Sequence, residues 1–399
     1  MPRHAAPWTA ALALTSALAA ALPAWAQTAA SATAPSSAQA ATVHSVTAHY
    51  AALVHATYSD TLTLARTLQA AVQAFVAAPS AQTQAQAQQA WLAAREYYGQ
   101  TEAFRFYGGP IDDARGPEGR LNAWPMDESY VDYVEGQPRA GLINQPRQPI
   151  TAAALSAANE RGGEENVATG WHAIEFLLWG QDRSEQGPGA RSHEDFVVGK
   201  TPNAERRARY LRVVTDLLVQ DLQSLVKAWA PGHKNNYRAA FERGGQGSLR
   251  KMLVGLGSLS RGELAGERLE VALSSQDQED EHSCFSDNTH RDAVSNARGI
   301  ENVWLGRFVR LDGSTLQGPA LRDLVAARDA ALAEKATRQI RQSVQASESI
   351  PAPFDRAIGI HHPGRARIEA TIESLTAQSH DLVAAAAALG IKQLTLVQP

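Results

Sequence analysis

The sequence predicts an all-α protein of packed antiparallel helices arranged in two helical halves. Three observations carry this reading. Apolar residues recur at three- and four-residue steps through most of the chain after Val43. Runs of alternating apolar residues, the mark of strands, are missing, and β-branched clusters are few. Gly and Pro interrupt the periodic stretches at spacings that suit connections between helices. With 44% hydrophobic residues among 399, enough apolar surface is available to offset the entropy of ordering the chain.

The first segment stands outside this pattern. Arg3 and His4 precede an apolar run from Trp8 to Leu22, and Ala24-Trp25-Ala26 forms an A-x-A cleavage site. Residues 1–26 are therefore expected to be a cleaved secretory signal peptide. The run is too short to span a bilayer comfortably, and no cysteine follows it to carry a lipid. Residues 27–42, rich in Ala, Ser, Thr and Gln, read as a flexible leader. No later stretch looks like a transmembrane segment, so a periplasmic product is expected.

Val46, Tyr50, Leu53, Leu62, Leu68, Val72 and Phe75 define a first helix that Ala78-Pro79 stops. A second runs from about Ser80 to Phe106. Residues 108–149 are rich in Gly and Pro and read as loop, with a short helix near Glu128–Val134. Thr151–Asn159 and Val167–Trp179 are helical. The polar loop Gly180–Asn203 is the expected boundary between an N-terminal half, 43–190, and a C-terminal half, 191–399. Ala204–Trp229 is a long amphipathic helix. Further helices are expected at Asn235–Arg243, Ser248–Leu256, Arg261–Ser275, Thr289–Phe308, Pro319–Ser347 and Arg365–Leu389.

Lys and Arg number 37 against 41 Asp and Glu, for a formal net charge of −4. That balance gives no basic excess for nucleic acid. The single cysteine, Cys284, excludes an intramolecular disulfide and any multi-cysteine metal site. It sits in an acidic run that raises rather than lowers a thiol pKa, and burial is expected. G-x-S-x-G, H-E-x-x-H and Walker-type loops are all missing.

Three stretches can carry chemistry. In Gly170-Trp171-His172-Ala173-Ile174-Glu175, His172 and Glu175 share one helical face, so imidazole and carboxylate can reach one metal ion. The plain alternative is a His–Glu hydrogen bond. Between Gln278 and His290, four carboxylates and two histidines fall within thirteen residues; Asp287 or Asn288 could cap the next helix, or the turn could be merely solvated. Arg95, Tyr98, Glu102 and Arg105 step along one face, where two arginines could orient Glu102 as a ligand or bind an anion, or could be ordinary surface pairs.

Together these stretches resemble the imelysin family of exported bacterial proteins. The G-x-H-x-x-E of Gly170–Glu175 is that family's named motif. The block from Glu279 to His290, which includes Ser283, and the block from Ala94 to Phe106 with Gly109-Pro110-Ile111-Asp112 resemble two others. The resemblance implies a fold of two bundle-like halves with the motif near their interface, and a link to iron, since a relative serves in periplasmic iron uptake. It also carries an early description as metallopeptidases.

The leading expectation is thus a periplasmic metal-binding protein of iron acquisition, acting with membrane iron-uptake components. His172 and Glu175 would hold a divalent ion, iron or zinc, with Glu102, Asp287 or His290 completing the shell. A zinc peptidase is a second reading, although the motif supplies two of the three protein ligands such a centre needs. A non-catalytic module holding a small ligand is a third, with Arg95, Tyr98, Arg105, Trp124, Asp112 and Ser283 as candidate contacts.

Overall fold

The structure, a computed structural model, describes residues 41–184 and 186–397; the expected signal peptide and most of the leader lie outside the described residues. Helix α1 (Val43–Ala77) opens on a capping box in which Thr42 and Ser45 satisfy each other's backbone N–H groups. Pro79 forbids its continuation. Ser80 and Thr83 form a second capping box at the start of α2 (Ala81–Thr101), which lies along α1. A 3-10 turn at Glu102–Phe104 ends α2 and leads into a long loop holding α3 (Glu118–Asn122) and α4 (Glu128–Val131).

After α5 (Ala152–Ala158) comes α6 (Gly170–Trp179), every residue of which is buried. A helix apolar on nearly all sides must be enclosed, and α6 packs against α2, α3 and α7 (Ala204–Ala228). Gln84 and Gln88 of α2 both donate to the carbonyl of Leu178, at 2.9 and 3.0 Å, and so satisfy the C-terminal end of α6. Tyr50, Phe104, Trp229 and Phe241 form one edge-to-face and stacked aromatic cluster under α1.

Next come α8 (Tyr237–Arg243) and α9 (Gln246–Ser258). The latter passes into a π-helical segment, Leu259–Glu270, and then into α10 (Val271–Ser275). These three form one continuous run where the sequence suggested two helices; its glycines read as breaks, but they are accommodated inside it. Helix α11 (Thr289–Leu305) packs on α2 and also on α13 (Ala330–Glu348), which pairs with α15 (Arg365–Ala388); α12 (Leu321–Ala326) and α14 (Phe354–Ala357) are short connectors. Glycines bring α2 and α11 close: a Cβ on Gly299 would sit 2.4 Å from the carbonyl oxygen of Gln100. One continuous apolar core runs through the described residues.

Other details depart from the sequence reading. The helix expected to reach Phe308 ends at Leu305, where Gly306 turns left-handed (φ +60°). Phe308 instead lies in β1 (Arg307–Val309), paired antiparallel with β2 (Thr315–Gln317). This small hairpin leaves the all-α class unchanged. Pro319–Ser347 is two helices, α12 and α13. Asn288 occupies the cap position of α11, but its side chain does not accept from that helix; it donates to Asp292 instead. Among the described residues, no helix is long and apolar enough to cross a membrane.

Candidate functional site

The G-x-H-x-x-E stretch begins with a backbone requirement. Gly170 has φ +86°, and a Cβ there would lie 2.4 Å from the carbonyl oxygen of Leu121. Only glycine allows α3 to approach the start of α6 so closely. Thr169 reinforces the contact by donating to the carbonyl of Arg120 at 3.0 Å. One turn on, His172 Nδ1 lies 2.9 Å from Glu175 Oε2. The other oxygen, Glu175 Oε1, accepts from the Ser286 amide at 3.0 Å and the Ser286 hydroxyl at 2.6 Å. The His172–Glu175 hydrogen bond, the plain alternative to a shared metal ion, is therefore present, with both carboxyl oxygens engaged. Glu175 is fully buried and His172 is 1% exposed.

Burial pushes the Glu175 carboxyl up to about 8, against the opposing pull of Ser286 and Arg95. Burial, aided by Arg95 and His282, holds His172 well below the usual imidazole range. The pair is thus neutral at pH 7 and keeps one proton between Glu175 and Nδ1. In this neutral pair Nε2 carries the ring hydrogen whichever partner holds the shared proton; Nε2 becomes a lone pair only when Glu175 is ionised and accepts from Nδ1–H. Nε2 itself is buried and makes no hydrogen bond.

Facing it is a residue the sequence reading did not select. The ring of His282 lies 4.9 Å from that of His172, and its Nδ1 is 2.9 Å from Asp292 Oδ2. Burial and Arg268 push His282 down to about 4 although Asp292 opposes them. Arg95 connects these parts. It donates to Asp292 through Nε and Nη2, both at 3.1 Å, and to the Asn122 side chain at 2.5 Å. Its Nη2 lies 3.2 and 3.3 Å from the two ring nitrogens of His282, and its guanidinium covers the ring of Tyr98. Although burial opposes the charge, Arg95 holds Asp292 well below the usual carboxylate range. Ser283 donates to Asp292 at 2.6 Å.

The expected ladder of Arg95, Tyr98, Glu102 and Arg105 is not one face. The α-helix ends at Thr101, so Arg105 emerges extended, and Arg95 turns to Asp292 rather than Glu102. Glu102 is held instead by Arg105 at 2.5 Å and Arg268 at 2.7 Å. Burial works against its charge, but the two guanidinia outweigh it and hold Glu102 down to about 2. These are buried pairs, not surface ones. The π segment makes this possible: Arg268 also pairs with Glu263, five residues earlier, a spacing suited to one π turn.

The remaining candidates lie apart. Asp287 and His290 make no hydrogen bond or ion pair with His172 or Glu175; His290 Nδ1 lies 3.1 Å from the Asp287 carbonyl. Asp112 accepts from the amides of Phe106 and Gly109 and ties down that turn. Trp124 stands 5.8 Å from His282, edge to face. Among the described residues, no three His, Cys, Asp or Glu side chains are placed to hold one metal ion. Cys284 is buried as expected, and burial, with Glu175 and Glu279 nearby, raises its thiol well above the ordinary value.

Unsatisfied hydrogen-bonding groups gather here. Besides His172 Nε2, the Nδ2 of Asn122, the Nε1 of Trp171, the Nε of Arg105, the hydroxyl of Tyr98 and Oε1 of Glu102 are buried without partners. Asn122 and Tyr98 both touch Arg95, and Trp171 lies 5.2 Å from the Tyr98 ring. His282, Asp292, Asn122, Arg268 and Ser286 are thus centre residues that sequence reasoning missed. His282 and Ser286 stood in a motif block, but nothing local distinguished them.

Comparison with known proteins agrees with this architecture. The family model described as Imelysin matches residues 54–382. The chain is 27% identical over 297 residues to iron-regulated protein A of Synechococcus elongatus, covering 72% of this chain and 70% of that protein. Among solved structures, a protein described as an iron-regulated protein A precursor from Parabacteroides distasonis superposes with a TM-score of 0.69 at 21% identity, over 88% of this chain and 97% of that one. An imelysin-like protein from Psychrobacter arcticum gives 0.63 at 14% identity, over 90% and 100%.

Proposed function

Because this chain belongs to the imelysin family, we propose that it is an exported, non-hydrolytic binding protein of iron handling. Its buried centre around Arg95 and His172 would take a small, acceptor-rich ligand. The observation that carries this is the unmatched donor set. Asn122 Nδ2, Trp171 Nε1 and Arg105 Nε can only donate, whereas Glu102 Oε1 is the one pure acceptor left without a partner there. Buried donors without partners cost free energy that a ligand rich in oxygen acceptors, or ordered water, recovers. Hydroxycarboxylates fit that chemistry and also chelate iron. The iron link rests on the relatives described as iron-regulated, and export rests on the Arg3 to Ala26 pattern. The onward acceptor would be a membrane iron-uptake component.

A divalent metal at G-x-H-x-x-E fits the side chains less well. Both oxygens of Glu175 are committed, so Glu175 orients His172 rather than ligating. His282 has the Arg95 guanidinium against it, and Glu102 is held by two guanidinia. An added cation would face their charge in a low-dielectric interior. One observation favours a metal reading: His172 Nε2 is available, with Glu175 behind it. A peptidase would need a third protein ligand and a metal-bound water.

Titration calorimetry on the mature, untagged protein separates these readings. Citrate and ferric citrate should bind, and Asn122→Ala should weaken them at least tenfold. Fe2+ or Zn2+ alone should give no heat assignable to His172. Metal binding abolished by His172→Ala, with no citrate binding, would replace this proposal with the metal reading.

A further inference from the structure

The first turns of α7 go against the charge of the molecule. The chain carries a formal net charge of −4, yet Arg206, Arg207, Arg209 and Arg212 fall within two turns of one helix. Arg207 is buried and pairs with Asp132 at 2.6 Å. The others have no carboxylate. Arg206 spends its guanidinium on backbone carbonyls, donating through Nε to Ile143 at 2.6 Å. Its Nη2 donates to Leu142, Gln145 and Gln148 at 3.1, 2.8 and 3.0 Å. These bonds pin residues 142–148 against α7 but leave the positive charge uncompensated. Arg209 and Arg212 are exposed one turn apart, and Arg147 is exposed on the pinned segment. Among the described residues, Arg147, Arg206, Arg209 and Arg212 make no ion pair, although Glu205 precedes Arg209 by one turn.

The surface between these arginines is concave. A hollow of about 470 Å3 lies between the end of α1 and the start of α7, with Val76, Phe196 and Val198 at one side and Arg209 and Arg212 at the other. A second, of about 360 Å3, shares Glu205 and Arg209 with it and runs past Arg206 to Arg147. A third, of about 470 Å3, shares Pro146, Arg147 and Gln148 with the second. Together they make one groove, basic along its length and apolar at one end. Glu205 is the only carboxylate that lines it among the described residues. The apolar end is firm, because Phe196 packs on Phe75 with ring centroids 4.7 Å apart. Above it Val198 is 66% exposed, more than any other large apolar side chain among the described residues.

We propose that this groove docks an extended acidic segment of a partner protein. Carboxylates of that segment would lie over Arg147, Arg209 and Arg212, which present forked donors with no competing acid. One apolar side chain of the segment would sit against Val76, Phe196 and Val198 and remove Val198 from water. Unpaired like charges on an otherwise acidic molecule concentrate positive potential in the groove and draw in such a partner. A flat anionic surface such as a bilayer reaches the exposed arginines but does not fill the hollows; an extended chain does both. None of these residues belongs to the His172 centre, so the proposal does not depend on what that centre holds.

The test is fluorescence anisotropy of the full mature protein with a labelled peptide that alternates Glu and Gly and ends in Phe. Companion peptides carry Ala in place of Phe, or Lys in place of Glu. The acidic Phe peptide should bind at micromolar concentration and weaken as salt is raised, and the Lys peptide should not bind. Arg209→Glu with Arg212→Glu should weaken binding at least tenfold. Arg338→Glu, an exposed reversal on α13, should leave it unchanged. Val198→Ser should weaken the Phe peptide and not the Ala peptide, which isolates the apolar contact. All these side chains are exposed, so circular dichroism and melting should match wild type. Absence of binding at millimolar peptide overturns the proposal. An equal loss in Arg338→Glu overturns it by showing a response to net charge alone. Equal effects of Val198→Ser on both peptides, or none, overturn the seated anchor. Sedimentation with phosphatidylglycerol vesicles that needs Arg209 and Arg212, without peptide binding, would give the face to a membrane and overturn it equally.

Discussion

Replacing Glu175 with Gln tests the protonation of the buried pair directly. A protonated Glu175 donates to His172 Nδ1 and accepts from Ser286, and glutamine can make the same bonds with its amide nitrogen and oxygen. The substitution should therefore be nearly silent at pH 6. The wild-type carboxyl has its folded value raised to about 8 from an ordinary 4.5. The folded chain then holds this proton more tightly than the unfolded chain. That contribution to stability is complete below the unfolded value and declines as pH rises toward 8. The slope approaches one proton, about 1.4 kcal/mol per pH unit, so wild type should lose roughly 2 kcal/mol relative to Glu175→Gln between pH 6 and 8. Urea unfolding of both proteins at pH 6, 7, 8 and 9 measures it, since every other titrating group cancels in the difference. A difference that stays flat across this range would show Glu175 ionised throughout and refute the neutral pair. A large destabilisation of the variant already at pH 6 would do the same.

Other expectations follow from single contacts. Asp292→Asn leaves the buried Arg95 guanidinium without its counter-charge and should cost about 3–5 kcal/mol in urea unfolding. Ser286→Ala removes a hydroxyl that favours the Glu175 anion; it should cost about 1 kcal/mol and move the Glu175 transition to higher pH in the same titration. Gly170→Ala forces a left-handed backbone on alanine and places its Cβ 2.4 Å from the Leu121 carbonyl oxygen. Thermal melting should show a loss of at least several degrees, or no folded protein, and Gly162→Ala, which has a similar φ but lies 3.5 Å from a side-chain atom only, should cost less.

Much of the scaffold was legible because its signals are local. Pro79 and the paired caps Thr42/Ser45 and Ser80/Thr83 mark helix ends within a few residues, and α1 and α2 stop and start where those residues stand. The His172–Glu175 pair was legible for the same reason, since three residues is one helical turn. What was not legible depends on distance along the chain or on unusual helical geometry. Arg95 reads as a partner for Glu102 by spacing, yet it pairs with Asp292, 197 positions away, because α11 crosses α2 at Gly99 and Gly299. Arg268 reaches Glu102 from a π-helical segment that no apolar period announces. Phe308 kept the apolar rhythm of α11 and concealed a three-residue strand, although Gly306 was the available signal.

Ser286 joins the buried pair on α6 to the turn Cys284–Ser286. Its amide and hydroxyl fix Glu175, while Asp287, the next residue, turns away to meet Asp182. Any movement of that turn alters the hydrogen bonds that lower the Glu175 pKa, and with them the tautomer of His172. Because the burial that raises Glu175 and the hydrogen bonds that restrain it oppose each other, losing one Ser286 contact shifts the proton further onto Glu175. That shift leaves a hydrogen on His172 Nε2 and makes the centre a donor to acceptor-rich ligands, the same chemistry that Asn122, Trp171 and Arg105 already present.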